Sequence, residues 1–403
     1  MHPDKITDNV YRVAAKIGTR DLFEGIWPIP NGVMLNSYII KGEKKNVLID
    51  LVKDWDGAET AIEDELKELD LEIKDIDIIV INHMEPDHTG SLNTFKDKNP
   101  NIEFVCSAKA KPLIEAFYDV HDKITVVKDG DTIDLGGKTL EFYMTPNIHW
   151  PETMMTYLVE DGILFSCDAF GAFGRYDSAF DDQLSEAESK MLDTELERYY
   201  ANIVSSFSTF TLRGIEKVTH LPIKFVCPSH GIMWREDPCK VINWYKKLAT
   251  YMNGPQEKEI TIVWSSMYGN TQAILDSFIK GVESEGVKLH VMQVPQTHES
   301  FVLEKVWRSA GIIVGMPTYE YKMFPPMFTV LDQLERSHVN KRKIARFGSY
   351  GWSGGANKQF MPFVESMKMD FMGEVEYQGA PSQEDKDKAF ALAVEMAKAI
   401  KEA

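Results

Sequence analysis

Four side chains able to bind a metal lie close together near residue 85. They are His83, Glu85, Asp87 and His88, and they directly follow the apolar run 76–81, which is typical of a buried strand. Two histidines and two carboxylates offer the mixed nitrogen and oxygen ligands that iron, manganese and zinc accept. The spacing predicts a metal site, in outline a dinuclear one. The alternative is a turn in which Pro86 and Asp87 satisfy only local backbone groups.

Three further ligand candidates share one structural context, because each is the first coordinating side chain after a short β-rich run. They are His149, Asp168 and His230, which follow the runs 140–144, 162–167 and 223–229. In layered α/β folds, sites are built at the ends of strands. We therefore expect these three side chains to join the first four in one site.

A second candidate site follows the strand-like run 259–264, where the chain reads Ser-Ser-Met-Tyr-Gly-Asn-Thr-Gln and a helix is predicted from Thr271. Amides at the start of a helix favour an anion, and serine and threonine hydroxyls can donate to phosphate oxygens. The absence of a lysine excludes a Walker loop, and the absence of G-x-G-x-x-G disfavours a dinucleotide. The alternative is a serine-rich helix cap without a ligand.

Two later loops support a nucleotide, because both follow predicted strands of the same sheet. The first runs from Pro317 to Pro325, and the second spans 348–355 and contains Tyr350 and Trp352. Doubly wound sheets hold a mononucleotide between such loops at the carboxyl ends of their strands. The aromatic and proline residues suit a flat ring.

The metal-site motifs together resemble those of the flavodiiron proteins. In order they are H-x-E-x-D-H, Pro-x-x-His-Trp, Cys-Asp-Ala-Phe and Pro-Ser-His-Gly, and the resemblance spans the whole chain. It implies a mixed α/β and α+β fold, with an N-terminal metallo-β-lactamase-like αββα sandwich followed by a flavodoxin-like doubly wound parallel sheet. Zinc hydrolases of the first fold usually carry a second histidine where this chain has Glu85. A carboxylate there hardens the site and favours iron over zinc.

The resemblance also assigns roles to the metal-site residues. It implies two non-haem iron ions held by seven side chains: His83, Glu85 and His149 on one iron, Asp87, His88 and His230 on the other, and Asp168 bridging the two. Tyr199 matches a family tyrosine near the irons, where its phenol could donate a proton or a hydrogen bond. The alternative is that Tyr199 is only a packing aromatic. Some family members place a histidine near the substrate pocket where this chain has Phe23 and Glu24.

The resemblance to flavodoxin names the second cofactor as FMN. It implies that Ser266, Asn270 and Thr271 hold the phosphate, and that Thr318, Tyr350, Gly351 and Trp352 line the isoalloxazine. The remaining expected contacts are Met267, Tyr268, Gly269, Pro317, Tyr319, Ser349 and Gly354. Met267 and Tyr268 stand where flavodoxins commonly have threonine. Trp352 could equally be a core anchor.

Composition limits the class of protein. The chain has 403 residues, and the turn and charges at 253–258 predict two domains, 1–253 and 254–403. The formal charge of −18 makes nucleic acids and anionic membranes poor partners. The four cysteines form no CxxC pair, which argues against a zinc ribbon or a rubredoxin module. With neither a signal-like segment nor a membrane-length apolar run, a cytoplasmic location is expected.

The resemblance implies an oxidoreductase that reduces dioxygen to water, nitric oxide to nitrous oxide, or both, with FMN relaying electrons. The external donor would be a rubredoxin, a flavoprotein reductase or a reduced deazaflavin. A head-to-tail homodimer, or a dimer of such dimers, is also implied. Two alternatives remain open: a zinc-dependent hydrolase fused to a flavodoxin-like domain, and a flavin electron carrier without catalytic activity.

Overall fold

The computed structural model describes residues 2–18 and 21–402, and the chain divides into two compact units after residue 249. The expected domain limits, 1–253 and 254–403, stay a prediction. No helix in the described ranges is long and apolar enough to cross a membrane.

The first unit contains fourteen strands and seven α-helices in its described part. The strands are β1 (Asp4–Thr7), β2 (Val10–Ile17), β3 (Leu22–Phe23), β4 (Trp27–Pro28), β5 (Val33–Lys41), β6 (Asn46–Ile49), β7 (Ile78–Ile81), β8 (Glu103–Ser107), β9 (Ile124–Val127), β10 (Thr132–Asp134), β11 (Thr139–Met144), β12 (Met154–Leu158), β13 (Ile163–Cys167) and β14 (Phe225–Pro228). The helices are α1 (Ala58–Glu68), α2 (Pro86–Thr89), α3 (Leu92–Lys98), α4 (Lys111–Tyr118), α5 (Glu186–Tyr199), α6 (Ser208–Val218) and α7 (Pro238–Thr250).

Two sheets enclose the core of this unit. The seven-stranded sheet has the order β1-β2-β5-β6-β7-β8-β9, and the five-stranded sheet runs β10 to β14 in sequence order. Apolar side chains from both sheets share one cluster, including Val80 and Val105 from the first and Phe142 and Phe165 from the second. Helix α1 packs on β2 and helix α6 on β11. This is the layered sandwich that the sequence predicts.

The central strand β7 shows why its sequence reads as an unbroken apolar run. All four of its residues are buried, and it lies between β6 and β8 in parallel. A parallel strand covered on both faces selects apolar residues at every position. Polar side chains therefore appear only after the strand ends, which is where the first metal motif begins.

The second unit alternates strands and helices. Its strands are β15 (Glu257–Trp264), β16 (Lys288–Gln293), β17 (Ser309–Gly315), β18 (Thr318–Tyr319), β19 (Lys322–Met323), β20 (Lys343–Tyr350) and β21 (Asp370–Gln378). Its helices are α8 (Leu275–Ser284), α9 (Glu299–Arg308), α10 (Pro325–Arg336), α11 (Ala356–Ser366) and α12 (Gln383–Glu402).

The main sheet of the second unit has the order β16-β15-β17-β20-β21, and every pair is parallel. Counted within the sheet, this is the 2-1-3-4-5 order of flavodoxin-like folds, whose switch point lies between the first and third strands. Helices α8 and α12 pack together, while α9, α10 and α11 form a consecutive second group. The predicted fold class is confirmed for both units.

Local differences from the sequence prediction have physical causes. The helix expected from Thr271 begins at Leu275, because a 3-10 turn, Gln272–Ile274, precedes it. The acidic stretch 181–197, whose residue types predict a largely helical segment, is interrupted before α5, where the Ser185 side chain accepts a hydrogen bond from the backbone amide of Glu188. That capping box starts a new helix.

Candidate metal centre and flavin site

The seven predicted metal ligands leave the ends of buried strands. Glu85 is the residue before α2, and Pro86 at the first helical position turns Asp87 and His88 out of the loop after β7. Asp168 follows β13, His230 lies two residues after β14, and His149 lies in the β11–β12 loop. Cys167, directly before Asp168, has a φ of 55°, a conformation that clusters at functional sites in residues other than glycine.

One group of ligand atoms forms around Glu85. Its Oε2 lies 2.8 Å from His149 Nε2 and 3.3 Å from His83 Nε2. The Oδ2 atom of Asp168 lies 3.4 Å from His83 Nε2 and 3.5 Å from His149 Nε2. These four side chains thus place one nitrogen or oxygen each around a common point.

A second group forms around the other oxygen of Asp168. Its Oδ1 lies 3.0 Å from His88 Nε2 and 3.2 Å from His230 Nε2. Asp87 Oδ2 lies 3.2 Å from His230 Nε2, and Asp87 Oδ1 lies 3.5 Å from His88 Nε2. Asp168 therefore divides its two oxygens between the two groups, which is the geometry of a bridging carboxylate. The roles of the seven residues as ligands stay a prediction.

The unsatisfied polar atoms of the cluster fit metal binding. Among the described residues, both Asp87 oxygens, Asp168 Oδ2, His88 Nε2 and His230 Nε2 are buried without a hydrogen bond. Buried polar atoms that lack a hydrogen bond are costly and rare, and the several that converge on these two points fit bound cations. Mixed imidazole and carboxylate donors suit iron.

The pKa shifts of the side chains in this cluster also fit metal binding. Burial lowers the pKa of His230, but Asp168 and Asp87 outweigh it and raise that pKa to about 10. Burial raises the pKa of Glu85, yet hydrogen bonds from His149 and His83 bring it well below its usual range. Burial also lowers the pKa of His83 and His88, but the carboxylates outweigh it and raise both pKa values, so without metal these rings and His230 favour the protonated form. Metal ions would displace those protons.

The far side of two imidazole rings is also fixed. His83 Nδ1 lies 2.7 Å from Glu152 Oε1, and His230 Nδ1 lies 2.8 Å from the Met34 carbonyl oxygen. Such bonds set the tautomer, so that Nε2 is the ligand atom. The sequence reading missed both partners. Glu152 carried a signal, because it lies three residues after His149 in the same loop. The Met34 partner is a backbone carbonyl, so no residue type in the sequence could have indicated it.

Tyr199 and Phe23 form a wall beside the second group. The Tyr199 hydroxyl donates to Asp168 Oδ1 over 3.0 Å. Its role at the metal centre stays a prediction. The Phe23 ring lies 5.4 Å from that of His230 and 6.4 Å from that of Tyr199. A cavity of about 610 Å³ opens beyond this wall, lined by Asp21, Leu22, Phe23, Glu24, Gly25, Lys53, Asp54, Trp55, Glu85, Pro86 and Asp87.

The predicted flavin residues line a cavity of about 260 Å³ at the carboxyl ends of β15, β17 and β20. Its lining comprises Ser266, Met267, Tyr268, Asn270, Thr271, Pro317, Thr318, Tyr319, Glu320, Ser349, Tyr350, Gly351, Trp352 and Gly379. Of the expected contacts, only Gly269 and Gly354 are outside this lining. Glu320 and Gly379 were not anticipated. The cavity lies at the switch point of the sheet, where such folds bind mononucleotides.

Contacts inside this cavity refine the sequence reading. Ser266 Oγ accepts from the Gly269 amide over 3.0 Å, and Gly269 has a φ of 92°, so the serine also caps a turn. Thr271 Oγ1 lies 3.1 Å from Ser349 Oγ. The interpretation of Trp352 as a core anchor is wrong, because its side chain is 73% exposed. Its indole N–H donates to the Tyr321 hydroxyl.

Comparison with known families matches both units. Residues 33–231 match the ODP family beta lactamase model, and residues 262–392 match the flavodoxin model. An anaerobic nitric oxide reductase flavorubredoxin from Vibrio vulnificus is 37% identical over 358 residues. That alignment covers 87% of this chain and 70% of the relative.

Solved structures agree over the full length. The rubredoxin oxygen:oxidoreductase from Desulfovibrio gigas has 26% sequence identity and a TM-score of 0.92, with 100% of this chain and 99% of that chain covered. A flavoprotein from Thermotoga maritima has 28% identity and a TM-score of 0.87, with 99% and 98% covered. The chain therefore belongs to the flavodiiron family of oxidoreductases, whose cofactors are the predicted FMN and non-haem diiron centre.

Proposed function

We propose that this protein reduces dioxygen to water, nitric oxide to nitrous oxide, or both, at a diiron centre supplied with electrons through FMN. The observation that carries the proposal is the division of the two Asp168 oxygens between two groups of ligand atoms. A paired metal centre suits a substrate that must receive several electrons together. Two ferrous ions and one flavin hydroquinone hold the four electrons that dioxygen needs, and two suffice for a pair of nitric oxide molecules.

The chain's own residues would divide the work around the metals. His83, Glu85 and His149 would hold one iron, Asp87, His88 and His230 the other, and Asp168 would bridge them. When bound, the iron pair would hold the diatomic substrate and pass electrons to it.

Beside the pair, the Tyr199 hydroxyl is placed to donate a hydrogen bond or proton toward the space next to Asp168. The Phe23 ring, which is 3% exposed, excludes water from the same side.

The second unit would store electrons and hand them on. Ser266, Asn270 and Thr271 would hold the FMN phosphate without a basic residue, through hydroxyl and amide donors. Thr318, Tyr350, Gly351 and Trp352 would line the isoalloxazine. The aromatic side chains at the cavity mouth remain exposed, which suits a cofactor that must exchange electrons with other proteins.

Partners follow from the same proposal. We expect an external electron donor, and the name of the Desulfovibrio gigas protein makes a rubredoxin one candidate, beside a flavoprotein reductase or a reduced deazaflavin. We also expect a head-to-tail homodimer, or a dimer of dimers, in which the flavin of one chain serves the metal centre of the other. The relatives' names include an oxygen and a nitric oxide reductase, which supports both substrates.

The first test is metal analysis combined with an absorption spectrum of the purified protein. We expect about two irons and one FMN per chain. The protein, chemically reduced in the absence of oxygen and then mixed with dissolved dioxygen or nitric oxide, should consume either gas, with water or nitrous oxide measured as product. Zinc in place of iron would favour the hydrolase alternative. Flavin without metal would favour the electron carrier.

A further inference from the structure

Glu152 lies directly behind His83, on the side of the imidazole ring opposite the ligand atoms. Its side chain is buried, with 2% of the residue exposed, and His83 is fully buried. One oxygen, Oε1, lies 2.7 Å from His83 Nδ1 and also accepts a hydrogen bond from the Met84 amide over 2.9 Å. A single carboxylate oxygen therefore holds both the ring and the backbone that follows it.

The loop that carries Glu152 is held firmly. The Thr145 amide bonds the Thr153 carbonyl over 3.0 Å, closing the base of the loop. The Thr153 hydroxyl donates to the Trp150 carbonyl over 2.9 Å. From outside the loop, the Ser107 hydroxyl donates to the Glu152 carbonyl over 2.7 Å. His149 sits in this same loop, so one rigid segment supplies one ligand candidate directly and orients a second through Glu152.

The acceptor behind His83 differs from that behind His230. His83 faces a carboxylate, whereas His230 Nδ1 faces the neutral carbonyl of Met34 at 2.8 Å. A carboxylate draws the Nδ1 proton more strongly and makes the opposite nitrogen a better electron donor. A metal bound by His83 would be stabilised in its higher charge state. His83 and His230 therefore face unequal acceptors.

We propose that Glu152 is a positioning residue that fixes His83 with Nε2 toward the metal centre and makes the metal held by His83 harder to reduce. The redox part rests on the diiron function proposed above, while the positioning part holds for any metal. The purely structural reading is that Glu152 only closes its loop through the Met84 amide. That reading gives no reason for the metal to respond to the charge of Glu152.

The test compares three variants of the full-length protein. Glu152→Gln keeps the shape and a carbonyl oxygen that can accept from both His83 and Met84, but removes the charge. Ser107→Ala removes a tether of the same loop and leaves the carboxylate in place. Asp50→Asn changes a different buried carboxyl group, which lies near His88 and accepts hydrogen bonds from the backbone amide and the side chain of Asn82. It therefore shows whether a second buried carboxyl group near the centre has the same effect.

Two measurements are needed. One is the rate of metal release to a chelator, and the other is the reduction potential of the iron pair, monitored by electron paramagnetic resonance. In Glu152→Gln we expect metal affinity to fall about 10- to 100-fold and the potential to rise more than in Asp50→Asn. Ser107→Ala should change neither. Circular dichroism and FMN content verify folding, and Glu152→Asp replaces Glu152→Gln if the latter does not fold, since its shorter side chain withdraws the carboxylate from His83.

The outcomes are separable. Unchanged metal release and potential in the Glu152 variant would overturn the proposal, and an equal rise in Asp50→Asn would reduce it to a charge effect and overturn the positioning role. Wild-type protein with zinc, or with iron but no reductase turnover, would instead refute the proposed function. Metal release would still report on Glu152 in that case.

Discussion

The metal cluster and the flavin cavity are built in opposite ways. In the first unit, His83, His88, Asp168 and His230 are each at most 1% exposed, and hydrogen bonds behind His83 and His230 hold their rings in place. In the second unit, Tyr268 is 92% exposed and Trp352 is 73% exposed. The fold itself prepares the metal geometry, whereas the flavin would complete its own site by covering exposed rings. Damage to one site should therefore leave the other intact.

The largest effect is expected from Asp168→Ala. This change removes the carboxylate that faces both groups of ligand atoms, so most of the iron and nearly all reductase activity should be lost. FMN should remain, because its cavity lies in the other unit. Metal analysis and the flavin spectrum check both parts. Full iron content in the variant would contradict the bridging role, and lost FMN would contradict the independence of the two sites.

Glu85→His should change which metal is bound. The substitution replaces a carboxylate by a neutral imidazole and so removes negative charge from a site that must stabilise two cations. The affinity for ferric iron should therefore fall most. We expect less iron, more zinc and little reductase activity, with FMN retained. Glu85 Oε2 contacts both His83 and His149, which makes it the centre of its group. Two irons with full turnover would refute the argument that this position selects the metal.

Substitutions at the flavin cavity should have a smaller effect, and they should lower FMN affinity and leave the iron content unchanged. Thr271→Val or Asn270→Ala removes a proposed phosphate donor, and a hydrogen bond to a charged group contributes about 1.5–3 kcal/mol. FMN affinity should fall about 10- to 100-fold while iron content stays the same. Titration of FMN into the flavin-free protein measures this, with Ser353→Ala as a matched hydroxyl deletion outside the cavity lining. Unchanged affinity in both variants would show that neither Thr271 nor Asn270 holds the phosphate.

The comparison also shows what the sequence could reveal. Ligands that follow unbroken apolar runs, as His83 follows β7, could be found because buried parallel strands leave a clear pattern. The flavin loops were found by the same logic at the switch point. Glu152 was missed because its role depends on how the β11–β12 loop folds back on β7, which no local pattern encodes. The exposure of Trp352 could not be predicted either, because the residue type alone does not distinguish a buried tryptophan from one at the mouth of a cavity.

The smallest expected effect is on folding stability, whose dependence on pH should have opposite signs for one glutamate in each unit. Burial raises the pKa of Glu65, in α1 of the first unit, to about 7, so this group destabilises the folded state as pH rises from about 4.5, the ordinary value for glutamate, to about 7. Glu259, in β15 of the second unit, behaves oppositely. Burial raises its pKa, but His290, Arg308 and Lys288 outweigh this and bring it to about 2, so its contribution is present above about 4.5 and is lost toward pH 2.

Glu65→Gln should therefore raise the melting temperature at pH 7.5 but not at pH 4.5, while Glu259→Gln should lower it at pH 7.5 and matter little near pH 2. A pKa shift of this size corresponds to at most about 3 kcal/mol, using 1.36 kcal/mol per unit. In Glu65→Gln the carboxamide oxygen can still accept the Ala14 amide, which Glu65 Oε2 bonds over 2.8 Å. Calorimetry of the metal-free and flavin-free protein at these three pH values measures the changes without contributions from bound cofactors. Equal shifts at both pH values for Glu65→Gln would show that packing, and not the raised pKa, controls the stability at that position.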